Sequence, residues 1–379
     1  MLVCPPYMAD DQRGPGTRSI DPMKHVRADV RALTGYSTGE QRPGFIKLNT
    51  NECAYPPSPR VREALVGIAD ESLRLYPDPT SRSLRELAAT RFGVRPDQII
   101  AGNGSDDCLT IAYRTFLAHG DNVCCPWPTY GLYDTLAAIQ GANIFHVGYR
   151  RGPERWALPA ELGTTGARLT LVSNPNNPSS TLTPVSELRR LATALDGILI
   201  VDEAYVDFAL GADPQASILP HLDAHPNLIV LRTFSKSYSL AGARLGLMFA
   251  AEPLVAQMNK VKDSYNVNVV TQALGVAALG DPDHHARVIG WTLTEKARLE
   301  RELGALGWTW PAAWGNFLLC EVGARAPEVL EGLRTRQILV RHWDTPELRA
   351  FLRVTIGCED QNTALLEALA HVWPRTAAH

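Results

Sequence analysis

The sequence predicts an α/β protein: a mostly parallel sheet with helices on both faces, and a second, smaller α/β unit. Three observations carry this expectation. Seven short apolar runs, at residues 98–101, 122–125, 143–147, 169–173, 198–202, 228–231 and 245–249, have strand length and are bounded by turn residues. Most of them alternate with segments of helical periodicity, including 106–117, 130–140 and 184–195; strands separated by helices pair in parallel and are covered on both faces. After Gly280 the pattern restarts and yields a shorter set of helices and strands.

The elements follow in order. The first twenty residues are rich in Pro, Gly and charge and read as a loosely docked tail. Asp21-Pro22 can cap a helix running through Val30 and Leu33, and a proline-rich extended stretch follows at 45–59. Residues 61–68 and 83–92 read as helices, the second stopped by Gly93. After the seven strand candidates, one long helical pattern covers 253–279. The last hundred residues predict a helix at 293–306, strands at 317–322, 338–341 and 352–356, and a closing helix at 361–372. The expected organisation is a tail at 1–20, an arm and part of the small domain at 21–58, a large domain at 59–280 and a small C-terminal domain at 281–379.

Composition excludes several classes. The chain has 379 residues, and Lys plus Arg (37) nearly balances Asp plus Glu (40), for a net charge of −3. A nucleic-acid binder would usually show a basic surplus. Seven scattered cysteines contain no C-x-x-C pair, so neither a disulfide framework nor a structural zinc site is expected, and no metal is assigned. No apolar run approaches the ~20 residues of a membrane-spanning helix, and the N-terminus lacks the apolar core of a secretory signal. The expectation is a cytoplasmic protein.

Open parallel sheets bind ligands at the carboxyl ends of their strands. There, IIAGNGSDD joins a strand to a helix and places Gly104, Ser105 and Asp106 where unpaired amides favour an anion; an ordinary capped turn would look the same. A dinucleotide fingerprint fails at its last position, Asp107, and no Lys follows the glycines as a P-loop requires. SNPNNPSS follows the next strand and carries Asn177. In ILIVDEAY a buried strand runs into Asp202 and Glu203, with Tyr205 after them, and a buried acid is costly unless it meets a cation. LRTFSKSYSLAGARLG places Thr233, Ser235 and Lys236 at another strand end, with Arg244 eight residues on. Together these call for an aromatic cation bearing a phosphate and an aldehyde, which describes pyridoxal 5'-phosphate. Lys236 would form its Schiff base, and Asp202 would pair with the ring nitrogen. Tyr205 and Asn177 would hydrogen-bond the ring hydroxyl, Tyr130 of PTYGLY would stack on the ring, and the amides at 104–106 with Ser235 and Arg244 would hold the phosphate.

These motifs, with FIKLNTNE, YPPSPRV, LRLYPDPT, GNFLL, ILVR and LRVTIG, resemble the fold-type-I pyridoxal-phosphate aminotransferases, and within them the histidinol-phosphate aminotransferase family, over about 27–373. The resemblance implies a seven-stranded, mostly parallel large domain, a small domain built from both chain ends, and a homodimer that shares its active sites. It assigns the cofactor roles above to the same residues and Thr233 to the same group. It implies that Tyr55 reaches the cofactor phosphate of the other subunit, and that Tyr36, Asn177, Arg341 and Arg353 bind substrate. The implied reaction is L-histidinol phosphate plus 2-oxoglutarate to imidazole acetol phosphate plus L-glutamate. Alternatives are an aminotransferase for an aromatic or other amino acid or a secondary-metabolite precursor, a decarboxylase or oxidase on the same scaffold, and a non-catalytic regulator that binds the cofactor. The chain departs from the family pattern at Cys53-Ala54, where Asn-Pro is usual, and at Ser179-Ser180, where Thr-Gly is usual. A glycine in that turn would serve a positive φ.

Overall fold

The computed structural model describes residues 21–33, 35, 38–152 and 154–373. The expected tail at 1–20 and the candidate Tyr36 lie outside the described residues. The expected N-terminal helix is two pieces, a 3₁₀ turn at Pro22–His25 and α1 (Ala28–Ala32), separated by extended backbone at Val26. Strand β1 (Ile46–Leu48) emerges from the proline-rich stretch, followed by α2 (Pro59–Val66), a short α3 (Asp70–Arg74) that the sequence did not announce, and α4 (Arg82–Phe92).

The main sheet is assembled from β2 (Ile99–Gly102), β3 (Asn122–Trp127), β4 (Asn143–Gly148), then, past a small hairpin of β5 (Arg150–Arg151) and β6 (Trp156–Ala157), β7 (Leu169–Ser173), β8 (Ile198–Asp202), β9 (Leu228–Thr233) and β10 (Gly246–Ala250). Its order is β2-β10-β9-β8-β7-β3-β4. Strand β10 runs antiparallel to both neighbours, and the remaining pairs are parallel. The crossover helices are α5 (Ser105–Phe116), α6 (Leu132–Gln140), α7 (Val185–Ala194) and the short α8 (Val206–Leu210). Period-2 alternation divides the burial. Leu199, Val201, Leu228 and Val230 face a core shared with Leu84 and Leu188, whereas Ile200, Ile229 and Leu231 face the opposite core with Leu109 and Leu136.

The single helix expected over 253–279 is two: α9 (Glu252–Val261) and α10 (Val269–Leu279). The intervening Asp263, Ser264, Asn266 and Asn268 are poor helix formers. Asn268 caps α10 by accepting from the Thr271 amide at 2.8 Å, and the Asn266 amide reaches Ala101 O and Asp107 Oδ2. Helix α11 (Pro282–Ala305) begins earlier than its periodicity suggested, because Asp281 caps it through the His284 amide. Beyond it lie β11 (Phe317–Glu321), α12 (Ala326–Thr335), β12 (Ile338–Val340), β13 (Phe351–Thr355) and α13 (Glu359–Val372). Strand β1 pairs in parallel with β12, Ile46 opposite Ile338, and Leu48 packs in one apolar cluster with Leu299, Leu318, Val329, Leu352 and Leu365. The two chain ends thus share a core. Among the described residues, no helix is long and apolar enough to cross a membrane.

Candidate active site

A cleft of about 450 Å³ opens at the carboxyl edge of the sheet, where Trp127, Ser173, Asp202 and Thr233 end β3, β7, β8 and β9. Of the residues expected in the site, Ser105, Asp106, Tyr130, Asn177, Asp202, Tyr205, Thr233, Ser235, Lys236, Arg244, Arg341 and Arg353 line it. Gly104 is not in this wall; it immediately precedes Ser105, which is. Tyr55 is not part of the wall; its ring lies 5.1 Å from that of Trp291.

The amine of Lys236 donates to Thr50 O at 3.1 Å and sits 5.5 Å from the centre of the Tyr205 ring. Burial pushes its pKa down to about 8, and the nearby Arg353 charge adds to the effect. Asp202, 5% exposed, closes a strand whose preceding three residues have no exposure at all. Its Oδ2 accepts from the Tyr133 hydroxyl at 2.9 Å and its Oδ1 from the Ala204 amide at 3.1 Å. Burial outweighs both bonds and pushes the carboxyl up to about 6. The Tyr205 hydroxyl accepts from Asn51 Nδ2 at 3.1 Å, and burial raises its pKa.

A polar corner forms at the N-terminus of α5. Arg244 places Nη2 at 3.2 Å from Asp106 Oδ2, and its Nη1 donates to Ser235 Oγ at 3.4 Å. Tyr130 donates to Asp106 Oδ1 at 3.3 Å, while the Thr233 hydroxyl accepts from the Ser235 amide at 3.2 Å. Two glycines make this corner possible. A Cβ on Gly104, whose φ is +88°, would lie 2.5 Å from Arg244 Nη2, and one on Gly246 would lie 2.4 Å from the Ser105 amide nitrogen. Asp107 serves the helix start instead, accepting from the Asn103 amide at 2.9 Å.

A second cationic corner is built from the C-terminal segment. Arg341 and Arg353 exchange backbone hydrogen bonds at 3.0 and 2.8 Å. The Arg353 guanidinium, in a residue 6% exposed, donates to Asn177 Oδ1 at 2.6 Å and Asn49 O at 2.7 Å, and lies 5.3 Å from the Phe317 ring centre. Arg341 donates to Thr38 O at 3.2 Å. Both guanidiniums lie over Trp343, at 5.2 and 5.3 Å from its centre, an arrangement that attracts cations to the ring. Asn177, in the loop after β7, is thereby tied to β13.

Sequence reasoning missed Trp343, Tyr133 and the wall formed by Thr38, Gly39, Asn49, Thr50 and Glu52. A signal existed for some of them, since Asn49 to Glu52 lie in FIKLNTNE and Tyr133 in PTYGLY. The departure at Ser180 has a structural answer. Its φ is indeed positive, at 63°, and the buried Ser180 Oγ accepts from the Gly315 amide at 2.8 Å. Cys53 lies outside the cleft wall, beside Glu52, which lines it.

The family aminotransferase class I and II matches residues 43–369. Histidinol-phosphate aminotransferase 1 of Trichormus variabilis is 39% identical over 350 residues, 91% of this chain and 98% of that protein. Histidinol-phosphate aminotransferase of Geotalea daltonii is 36% identical over 354 residues, 92% of this chain and all of that protein. Among solved structures, histidinol-phosphate aminotransferase from Sinorhizobium meliloti in complex with pyridoxal-5'-phosphate superposes with a TM-score of 0.80 at 26% identity, covering 86% of this chain and 90% of that one. An aspartate aminotransferase mutant from Thermus thermophilus, 21% identical with a TM-score of 0.77 over 92% of this chain and 99% of that one, shares the fold. With an amine, a buried carboxyl and two cationic corners in one cleft of this fold, the chain belongs to the class I and II aminotransferases, the pyridoxal-phosphate-dependent transaminases of fold type I.

Proposed function

We propose that the chain transfers the amino group of L-histidinol phosphate to 2-oxoglutarate, giving imidazole acetol phosphate and L-glutamate, as a step of histidine biosynthesis. The observation that carries this reading is the presence of two separate cationic corners in one cleft, Arg244 at one and Arg341 with Arg353 at the other. A cofactor phosphate needs one; a substrate with an anionic end of its own, phosphate or carboxylate, needs a second. The names of the relatives support the same choice.

The residues fit pyridoxal phosphate: an amine held below its usual pKa, a buried carboxyl, and a helix start beside Arg244 where Gly104 leaves room. Bound there, the cofactor would supply an aldehyde for the amino group and an electron-accepting ring. Lys236 holds the cofactor and then moves a proton at the substrate carbon, a task suited to an amine titrating near neutrality. Asp202, oriented by Tyr133, keeps the ring nitrogen protonated. Tyr205 and Asn177 would hydrogen-bond the ring hydroxyl and Tyr130 would cover the ring, all three lining the cleft. Thr233, Ser235, Arg244 and the amides of Gly104, Ser105 and Asp106 hold the cofactor phosphate. Arg341, Arg353, Asn177 and Tyr36 bind substrate.

The working unit in this reading is a homodimer in the cytoplasm, with Tyr55 completing the partner's phosphate site; the place of Tyr55 outside its own cleft wall supports this. Residues 59–280 form the cofactor-binding domain, and 21–58 with 281–379 the smaller one, supported by the shared core of Leu48 and the C-terminal strands. The test is turnover of L-histidinol phosphate against a panel of aromatic and basic amino acids, with 2-oxoglutarate as acceptor. The highest kcat/KM is expected for histidinol phosphate. Good activity on a free amino acid with none on histidinol phosphate would sink the reading.

A further inference from the structure

The face of β9 turned away from the cleft carries a buried charge cluster that has no part in the chemistry above. Alternation along the strand sends Thr233 to the cleft and Arg232 to the opposite side. Arg232, 5% exposed, places Nε 2.9 Å from Glu203 Oε2 and Nη1 2.6 Å from Asp207 Oδ1, while Nη2 donates to Ser217 Oγ at 3.1 Å. Glu203 also accepts from Ser217 Oγ at 2.7 Å and the Ile218 amide at 2.8 Å. The second oxygen of Asp207 accepts from the Ser237 hydroxyl and faces His285 Nε2 at 3.6 Å.

Three of the residues around the lysine are gripped from this side. Tyr238 stacks flat on His285, with centroids 3.9 Å apart at 6°, and on Phe234 at 4.6 Å; its hydroxyl faces Arg91. Ser237 is 1% exposed. Within 234–238, then, Phe234, Ser237 and Tyr238 are held from behind, and Ser235 and Lys236 face the cleft.

Among the described residues, the polar anchor of the Ser237 side chain on this side is a carboxylate. Burial works against an ionised Asp207. The contacts with His285, Arg232 and Ser237 outweigh it and hold the carboxyl well below its usual range, so the acceptor stays charged across the working pH. A charged acceptor roughly doubles the strength of such a bond. The lysine amine must reach reacting atoms to within a fraction of an ångström, and ~1 Å of misplacement can cost ~10²-fold in rate.

We propose that Asp207 is a positioning residue for Lys236: its carboxylate, pinned by Arg232 and His285, fixes Ser237 and with it the backbone that aims the amine into the cleft. This rests on the reading of Lys236 as the cofactor-bearing lysine. The test compares Ser237→Ala with Asp207→Asn, which keeps the shape but removes the charge shared by Ser237, Arg232 and His285. Three quantities are read: the pH midpoint of the visible absorbance of the lysine-bound cofactor, kcat and KM per bound cofactor, and the unfolding temperature of the cofactor-free protein. Ser237→Ala is expected to move the midpoint by about 0.5 pH unit or more and to lower kcat about tenfold. KM for both substrates should stay within about twofold, and Asp207→Asn should shift the midpoint in the same direction as Ser237→Ala and lower kcat by about threefold or more. A Ser237→Ala variant with wild-type midpoint and kcat overturns the proposal, whatever its unfolding temperature. Ser237→Cys, with a weaker donor of similar size, gives the same reading if the alanine variant does not fold. Failure of the underlying reading looks different: the visible band would then survive in Lys236→Ala.

Discussion

Replacing Asp202 with Asn should make the cofactor-free protein more stable and the loaded enzyme worse. The carboxyl is 5% exposed, and burial raises it from 3.8 to about 6. A raised carboxyl pKa means that the native state binds the proton more tightly than the unfolded chain. The resulting penalty is absent below the unfolded value, grows as pH rises between 3.8 and about 6, and is constant above that. A shift of about two units corresponds to about 3 kcal/mol at ~1.4 kcal/mol per unit. Asn fills the same space and need orphan no neighbour. Its oxygen can accept from the Ala204 amide, and its amide can donate to the Tyr133 oxygen, since a hydroxyl also accepts. Urea unfolding of the cofactor-free Asp202→Asn protein, followed by tryptophan fluorescence, should therefore show a gain of about 2–3 kcal/mol at pH 8 that vanishes below about pH 4. In the loaded enzyme the ring nitrogen loses its anionic partner, and kcat should fall on the order of 10²-fold. A variant no more stable than wild type at pH 8 would refute the argument that burial strains this carboxylate.

Arg353→Lys tests the substrate corner. A single ammonium cannot span Asn177 Oδ1 and Asn49 O as the guanidinium fork does. Loss of one charge-assisted bond, ~1.5–3 kcal/mol, should raise KM for histidinol phosphate about 10- to 100-fold in steady-state kinetics; a KM within about twofold of wild type would remove Arg353 from the substrate site. Ser180→Gly tests the departure in the Asn-Pro turn. Relief of the left-handed backbone gains ~1 kcal/mol, but the Gly315 amide loses a buried acceptor at ~1–3 kcal/mol. The balance of ~0–2 kcal/mol against the variant should lower the unfolding temperature by at most about 4 °C, and a rise would show that the strain outweighs the bond.

The parts legible in the sequence are those whose physics is local. Strands 169–173 and 198–202 emerge with the boundaries expected, whereas the buried run expected at 228–231 continues to Thr233 and that at 245–249 is shifted by one residue. Asp202, Thr233, Ser235 and Lys236 were visible because chemistry-bearing side chains at the ends of such runs have one place to go, the carboxyl edge of the sheet. Contacts between distant segments were not legible. Nothing near Asn177 announces that its side chain is committed to Arg353, nor does Asp202 announce Tyr133 beneath it. Trp343 follows ILVR as an unremarked aromatic, and its role comes only from the two guanidiniums that meet over it. The break between α9 and α10 was readable in principle from Asp263, Ser264, Asn266 and Asn268, but the apolar periodicity on either side masked it.

The pairing of β1 with β12 also dictates an order of assembly. Ile46 to Leu48 are made early in synthesis, yet they have no strand to pair with until Ile338 to Val340 exist. The segment just after them supplies Thr50 O to the lysine amine and Asn49 O to Arg353, and Asn51 is held by Thr355 and Asn316. The large sheet can form as its strands leave the ribosome, since its strands all lie between 99 and 250. The cleft cannot. One wall waits for nearly the whole chain, so a nascent protein stalled before residue 338 would own the lysine and the carboxyl but not the enclosure that tunes them.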